Sequence, residues 1–247
     1  MKKKNHGEFT NVYEDTKRAE AYSKLTFEKT YYLAYRDLPE IISRHVSGKT
    51  ALDFGCGTGR STRFLKTLGF STHGIDISQQ MIILAQHLDP TGTYQRIDDG
   101  DFSKLPASSY DLILSAFTFD NIPTIEKKVM LFKGLSTLLT QKGVIINLVS
   151  SPEIYTHEWA TFTTKDFPEN HLAKSGDIVR IITTDIHDKR PCYDIYWSVE
   201  DYKKVYAQAG LHVSNIFKPL ATGKEPYQWV TETKIAPWTI YVLKKQT

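Results

Sequence analysis

The chain's 247 residues suffice for one domain with a substantial core, or for a domain carrying a smaller appendage. Its 31 basic and 28 acidic residues leave a net charge of +3, too near a balance for the clustered Lys and Arg of a nucleic-acid footprint. No apolar run approaches the roughly 20 residues of a membrane span, and Cys56 and Cys192 supply neither a disulfide framework nor a zinc site.

Those exclusions point to a soluble cytoplasmic protein with no nucleic-acid or membrane partner. Lys2-Lys3-Lys4 follows Met1 without an apolar segment behind it, so it reads as a solvated tail rather than a secretory signal. Over the first 150 residues strand-like and helix-like segments alternate, as a parallel sheet with crossover helices requires. TALDF (50–54) reads as a buried strand, and RSTRFLKTLG (60–69) as a helix with Phe64, Leu65 and Leu68 at helical spacing and Gly69 as its stop. STHGIDI (71–77) is the second strand; Ser78 caps the helix QQMIILAQHL, and Pro90 lies beyond its end. TYQRI (93–97) and the nearly continuous apolar run YDLILSAF (110–117) are two further strands, and Asp98 and Asp99 form a solvated turn between them, before Gly100. Beyond Pro123, Ile125, Val129, Phe132 and Leu139 draw an apolar helix stripe, and Gly143 precedes the fifth strand, VIINLV (144–149).

After Ser150 the character changes. Residues 151–197 are rich in aromatics, Thr and Asp, with DIVRIITT as the one clear strand, and are expected to be a cap inserted over the sheet of residues 1–150. Residues 198–247 then complete the same domain. Ser198 and Asp201 begin a helix that Gly210 ends, and HVSNIF and WTIYVLKK close the sheet as an antiparallel pair. The expected fold is α/β: a doubly wound, mainly parallel seven-stranded sheet.

The stretch LDFGCGTG carries the chemistry. A strand that turns through Gly55, Gly57 and Gly59 into a helix brings backbone amides to the strand ends, where open α/β sheets bind ligands. The spacing is neither that of a phosphate loop nor the Gly-x-Gly-x-x-Gly of dinucleotide enzymes. Asp53 before the turn would repel a pyrophosphate and attract a positive charge. Asp76 ends the second strand, 23 residues later, where an acid can take both ribose hydroxyls.

These residues resemble the class I S-adenosylmethionine-dependent methyltransferases. LDFGCGTG is similar to that family's glycine motif, GIDIS followed by Met81 to its ribose motif, and GDFSKLP to its adenine motif. SYDLILS resembles its fourth strand and LLTQKGVIINLV its fifth. The resemblance, from about Val12 to Val149, implies S-adenosyl-L-methionine as cofactor and S-adenosyl-L-homocysteine as product. It places Asp53, Gly55, Cys56 and Gly57 at the methionine end, Asp76 on the ribose, Ile77 and Met81 against adenine, and Asp101 and Phe102 at the adenine amino edge. Ser115 and Ala116 would lie under the sulfonium, and Tyr13 and Tyr22 would belong to an N-terminal lid helix. Cys56 reads as a filler of small space and not as a nucleophile.

The acceptor is expected to be a small molecule, heteroaromatic or phenolic, methylated at nitrogen or oxygen. SAFTFDNIP lacks the Pro-Pro-aromatic run of base-amino methylation, and no double-glutamate loop of arginine methylation is present. Asp120-Asn121 stands after the fourth strand and not after the fifth, which argues against a magnesium-dependent catechol site and leaves Asn121 to cap the next helix. Phe117, Asp120, Tyr155, His157, Trp159, Trp197 and Trp238 are the candidate acceptor residues, with Phe162, Phe167, Tyr227 and Trp229 as further aromatic walls and His157 as candidate base. SPEIYTHEWATFTTKDFPEN also resembles enzymes of natural-product pathways, including azapteridine N-methylation of the toxoflavin type. Two other classes stay open: a nicotinamide-dependent oxidoreductase, which Asp53 and the short glycine spacing disfavour, and a catalytically silent S-adenosylmethionine-binding protein.

Overall fold

The computed structural model describes Glu20 and residues 23–246. Helices α1 (Thr30–Arg36) and α2 (Leu38–His45) precede β1 (Thr50–Phe54), α3 (Arg60–Thr67) and β2 (Ser71–Asp76). The alternation continues through α4 (Gln79–Leu88), β3 (Thr93–Arg96), β4 (Tyr110–Ala116), α5 (Ile125–Leu138) and β5 (Leu139–Ser150). Three short strands follow, β6 (Phe162–Thr163), β7 (Ile178–Thr183) and β8 (Cys192–Ile195), and then α6 (Val199–Gln208), β9 (Leu211–Phe217) and β10 (Trp238–Lys245).

Seven strands form one sheet in the order β3-β2-β1-β4-β5-β10-β9. β1 runs parallel to β2 and β4, and β4 to β5, whereas β10 is antiparallel to both β5 and β9. The expected doubly wound sheet is therefore present, closed by its antiparallel pair. Strand alternation divides its side chains between two cores. Leu112, Leu114, Ile146 and Val242 face α1, α2 and α3; Ile113, Ile145, Tyr241 and Leu243 face α5 and α6. Buried on both sides, the central strands read as unbroken apolar runs.

Local signals mostly hold. Ser78 Oγ accepts from the Met81 amide at the start of α4, and Ser198 Oγ both accepts from the Asp201 amide and donates to its carboxylate at the start of α6. The α5 boundary differs: the helix stops at Leu138, and Leu139, expected on its stripe, is the first residue of β5. Gly143 lies inside that strand, where the β4 register slips between Tyr110 and Leu112; a Cβ there would stand 2.7 Å from the Tyr110 carbonyl. Asn121 does not cap α5. Its amide donates to the Phe117 carbonyl, and Thr124 Oγ1 takes the cap bond from the Lys127 amide.

Between Ser151 and Trp197 the chain leaves the main sheet and builds a second, antiparallel one, β6-β7-β8. DIVRIITT supplies β7; β6 has two residues and β8 four, too few for an alternation to register in sequence. Glu232, in the β9–β10 connection and fully buried, clips this roof in place. One oxygen accepts from Thr30 Oγ1 in α1 and from the Ala160 amide beside β6, both at 2.7 Å, and the other from the amides of Val230 and Thr231. Glu232→Ala removes the shared acceptor of these four donors, of which Thr30 Oγ1 is fully buried. We expect a loss of about 3 kcal/mol or more in urea-unfolding free energy; a variant of unchanged stability would show that the clip holds nothing.

Candidate active site

The glycine loop is pinned from both sides. Gly55 and Cys56 donate their amides to the Ile75 carbonyl of β2 at 2.8 and 2.9 Å, which holds the turn beside the neighbouring strand end. Gly55, Gly57 and Gly59 all have left-handed φ, +70°, +52° and +78°, a region closed to most side chains. At Gly55 a Cβ would also stand 2.2 Å from the Thr118 side chain. Asp76 accepts from the Gly57 amide with one oxygen and from the Ser78 amide with the other, both at 2.8 Å, so the carboxylate at the β2 tip also shapes the loop.

Asp53 is placed differently from its expected position against a ligand's ammonium group. It is fully buried behind the loop, off the cavity wall, and its Oδ2 accepts from Ser61 Oγ and Thr62 Oγ1 at 2.6 Å each, tying β1 to the first turn of α3. Its other oxygen has no hydrogen-bond partner among the described residues, and burial pushes the carboxyl up to about 6 against the pull of the two hydroxyls. Cys56 packs with Ile82, Ala85 and Tyr94, its thiol pushed up by burial, as befits a filler.

A cavity of about 1080 Å³ opens across the strand ends and extends beneath the second sheet. At one end Gly55, Gly57, Asp76, Ile77 and Met81 form its wall, together with Ala116. Asp101 and Phe102 do not reach it. Asp101 is exposed and accepts from the Ser103 amide, while Phe102 lies against Phe54 and fills the space left by Gly134. Asp99 is exposed in a turn, as expected, and also borders the cavity, ion-paired with Lys127 at 2.9 Å. Ser115, one residue before Ala116, is wholly buried, and its hydroxyl has no partner among the described residues.

At the other end stand four rings. Trp238 lies 4.8 Å from Phe117, 5.7 Å from Tyr31 in a stacked arrangement and 5.8 Å from Phe162. Its indole N–H donates to the Thr30 carbonyl. Tyr155 is on the wall too, donating to Asp194 of β8 at 3.1 Å, and so is Asp120, whose carboxylate accepts from the Ser150 amide at 3.0 Å. Ile178, Ile181 and Ile195 of the second sheet roof this end.

His157, Trp159 and Trp197 are elsewhere. The His157 ring nitrogen meets Thr156 Oγ1 and the Glu153 carbonyl, each at 3.1 Å, off the cavity wall, which removes it as a base. Trp159 is core, donating to the Ile154 carbonyl, and Trp197 lies under the Lys128 ammonium. Phe167 stacks beneath Arg180, and Tyr227 and Trp229 pair with each other beside Tyr32. Tyr13 and Tyr22 lie outside the described residues; Tyr31 of α1 brings an N-terminal ring to the wall. Among residues not foreseen, Lys128 had a signal: three after Ile125 and four before Phe132, it falls on the buried face of α5. Tyr31 and Asp194 had none that separates them from ordinary helix and strand residues.

Residues 52–145 match a family of methyltransferase domains. An uncharacterized methyltransferase from Alkaliphilus oremlandii is 28% identical over 168 residues, 67% of this chain and 76% of that protein. The 2-methyl-6-phytyl-1,4-hydroquinone methyltransferase from Synechocystis is 32% identical over 102 residues, 40% of this chain and 31% of its own length. Among solved structures, an S-adenosylmethionine-dependent methyltransferase from Clostridium acetobutylicum superposes with a TM-score of 0.61 at 16% identity, covering 96% of this chain and 97% of that one. The CcbJ methyltransferase from Streptomyces caelestis gives 0.64 at 13% identity, with 93% and 96% covered.

The raised Asp53 carboxyl has a sign that can be measured. The folded chain keeps this proton up to about pH 6, whereas the unfolded chain releases it near the ordinary value of 3.8. Its contribution is therefore most stabilising at low pH and falls as pH rises through about 6, by up to about 3 kcal/mol in all. In Asp53→Asn, which keeps an oxygen for Ser61 and Thr62, urea titrations should show that decline removed; an identical pH dependence in both proteins would refute the assignment.

Proposed function

Because the chain belongs to the class I S-adenosylmethionine-dependent methyltransferases, we propose that it methylates a small aromatic acceptor, heterocyclic or phenolic, at nitrogen or oxygen. The observation that carries this reading is the continuity of one cavity from the Gly57–Asp76 end to the cluster of Tyr31, Phe117, Phe162 and Trp238. A flat, partly apolar ring suits such walls, which offer large contact area and few polar atoms.

The residues present fit the cofactor. The loop has its Gly55 backbone on the wall in a conformation that a side chain would block, and Asp76 combines an acceptor carboxylate with a neighbouring apolar surface from Ile77 and Met81. Asp76 would hold the ribose hydroxyls, the Gly55–Gly57 backbone the methionine portion, and Ile77 and Met81 the adenine faces. Asp99 stands on the wall beyond them, in the place expected of Asp101. When bound, S-adenosylmethionine supplies a methyl group on a positively charged sulfur, already activated for displacement. The protein's share is alignment and dryness. Ala116 and Phe117, adjacent in the chain, would join the two ends, the four rings would fix the acceptor's plane, and the second sheet would cover it. Such positioning is worth up to about 7–11 kcal/mol of barrier.

Calorimetry with S-adenosylhomocysteine tests the cofactor end directly. Saturable binding is expected, weakened roughly 10- to 100-fold in Asp76→Asn, the size of a lost charge-assisted hydrogen bond. Unchanged affinity in the variant would remove Asp76 from the site. At the acceptor end, Trp238→Leu should leave that affinity within about twofold while lowering transfer of labelled methyl into a small-molecule extract by tenfold or more; equal transfer by both proteins would move the acceptor away from the rings.

A further inference from the structure

Lys128 is an ammonium group with no exposure to solvent, surrounded by rings. Its Nζ donates to the Phe119 carbonyl and lies 3.5 Å from the Tyr202 hydroxyl, with the ring centres of Trp197 and Tyr202 each 4.9 Å away. A buried charge of this kind is costly, and packing does not demand it, because methionine would fill the same stem on the α5 face. The carboxyl its field reaches is Asp120, on the cavity wall one residue beyond the Phe119 carbonyl that it bonds. Asp120 follows β4 by four residues and lines the cavity along with Ala116, Phe117 and Thr118.

Resting on the methyltransferase reading above, we infer that Asp120 is the group that receives the acceptor's proton, and that Lys128, through Tyr202, is the positioning residue that keeps Asp120 charged. Every packed element contributes to its surroundings. The Ser150 amide of β5 donates to it; Tyr155 after β5 and Asp194 of β8 stand on the acceptor side; Lys128 of α5, Tyr202 and Tyr206 of α6 and Tyr241 of β10 stand behind. Burial raises the Asp120 carboxyl above the usual carboxylate range, while the Ser150 amide, Lys128 and the Tyr202 hydroxyl hold it down. Burial in turn lowers Lys128, and Asp120 holds it up. During transfer the acceptor's nitrogen or oxygen forms its bond to the methyl carbon as that carbon's bond to sulfur breaks, the electron pair going to sulfur. The acceptor's N–H or O–H pair stays on the heavy atom, and the proton goes to the Asp120 carboxylate. His157, off the wall, takes no part.

The experiment compares wild type, Asp120→Asn, Lys128→Met and Tyr202→Phe, each saturated with S-adenosylhomocysteine. Carboxyl-labelled aspartate, followed by carbon NMR across a pH titration and assigned by the signal missing in Asp120→Asn, reads the charge on Asp120 without any acceptor. Asp120 should titrate above the ordinary range, and move upward by about one unit or more in Lys128→Met, since a neighbouring positive charge is lost. Tyr202→Phe, which keeps the ring packing and removes only a hydroxyl, should move it the same way by less. Single-turnover transfer of labelled methyl from S-adenosylmethionine into a small-molecule cell extract should fall about 10²- to 10⁴-fold in Asp120→Asn. The acid limb of its pH profile should shift upward in Lys128→Met, a change that a purely structural lysine would not produce. An ordinary Asp120 titration, one unmoved by both Lys128→Met and Tyr202→Phe, or undiminished transfer in Asp120→Asn overturns the inference while S-adenosylhomocysteine still binds. Failure of wild type to bind S-adenosylhomocysteine overturns the methyltransferase reading itself.

Discussion

The structure depends on one tight turn, the passage from β1 into α3 within the five residues 55–59. Three left-handed glycines make the turn possible, and hydrogen bonds hold it on both flanks: the Ile75 carbonyl takes two amides, Asp76 takes a third, and Asp53 anchors the helix that follows. Because β1 is central in the sheet, that turn sets where the cleft lies and which amides face it. The glycine-loop end of the cavity is thus built largely from backbone, shaped by two acids with different duties, one at the cavity and one behind it.

A common theme joins the buried acids. Asp53, Asp120 and Glu232 are held by amides and hydroxyls. Donors fixed by the fold orient a carboxylate without cancelling its charge, and a low-dielectric setting makes the remaining field strong. Asp53 uses this to fasten a helix, Glu232 to fasten a roof. Asp120 leaves the same kind of carboxylate beside a cavity, with Lys128 at a short remove.

Legibility in the sequence followed the range of the interactions. The caps at Ser78 and Ser198 are bonds across three residues, and the strand–helix alternation and the glycine spacing are local patterns of residue type, so all of these are readable although the sheet they build pairs distant strands. Gly57 and Asp76 meet because parallel strands bring their tips together, a rule of the fold class and not of this chain. The roof was scarcely readable: β6 and β8 are too short to show a period, and Glu232 reaches 202 residues back to Thr30. Composition put the tryptophans near one another, and only Trp238 of the four lines the cavity, since Trp159 and Trp197 found better partners in the core and Trp229 bonds Glu225. Asp99 and not Asp101 borders the cavity, and Gly100 between them has φ +79°.

Glu232 has a consequence beyond the roof. One carboxylate joins α1, the residue beside β6 and the β9–β10 connection, so the panels around the four rings are riveted at a single point. Three stretches of chain far apart in sequence thus share one fastening, so that whatever disturbs Glu232 is felt in the helix, the roof and the last connection together.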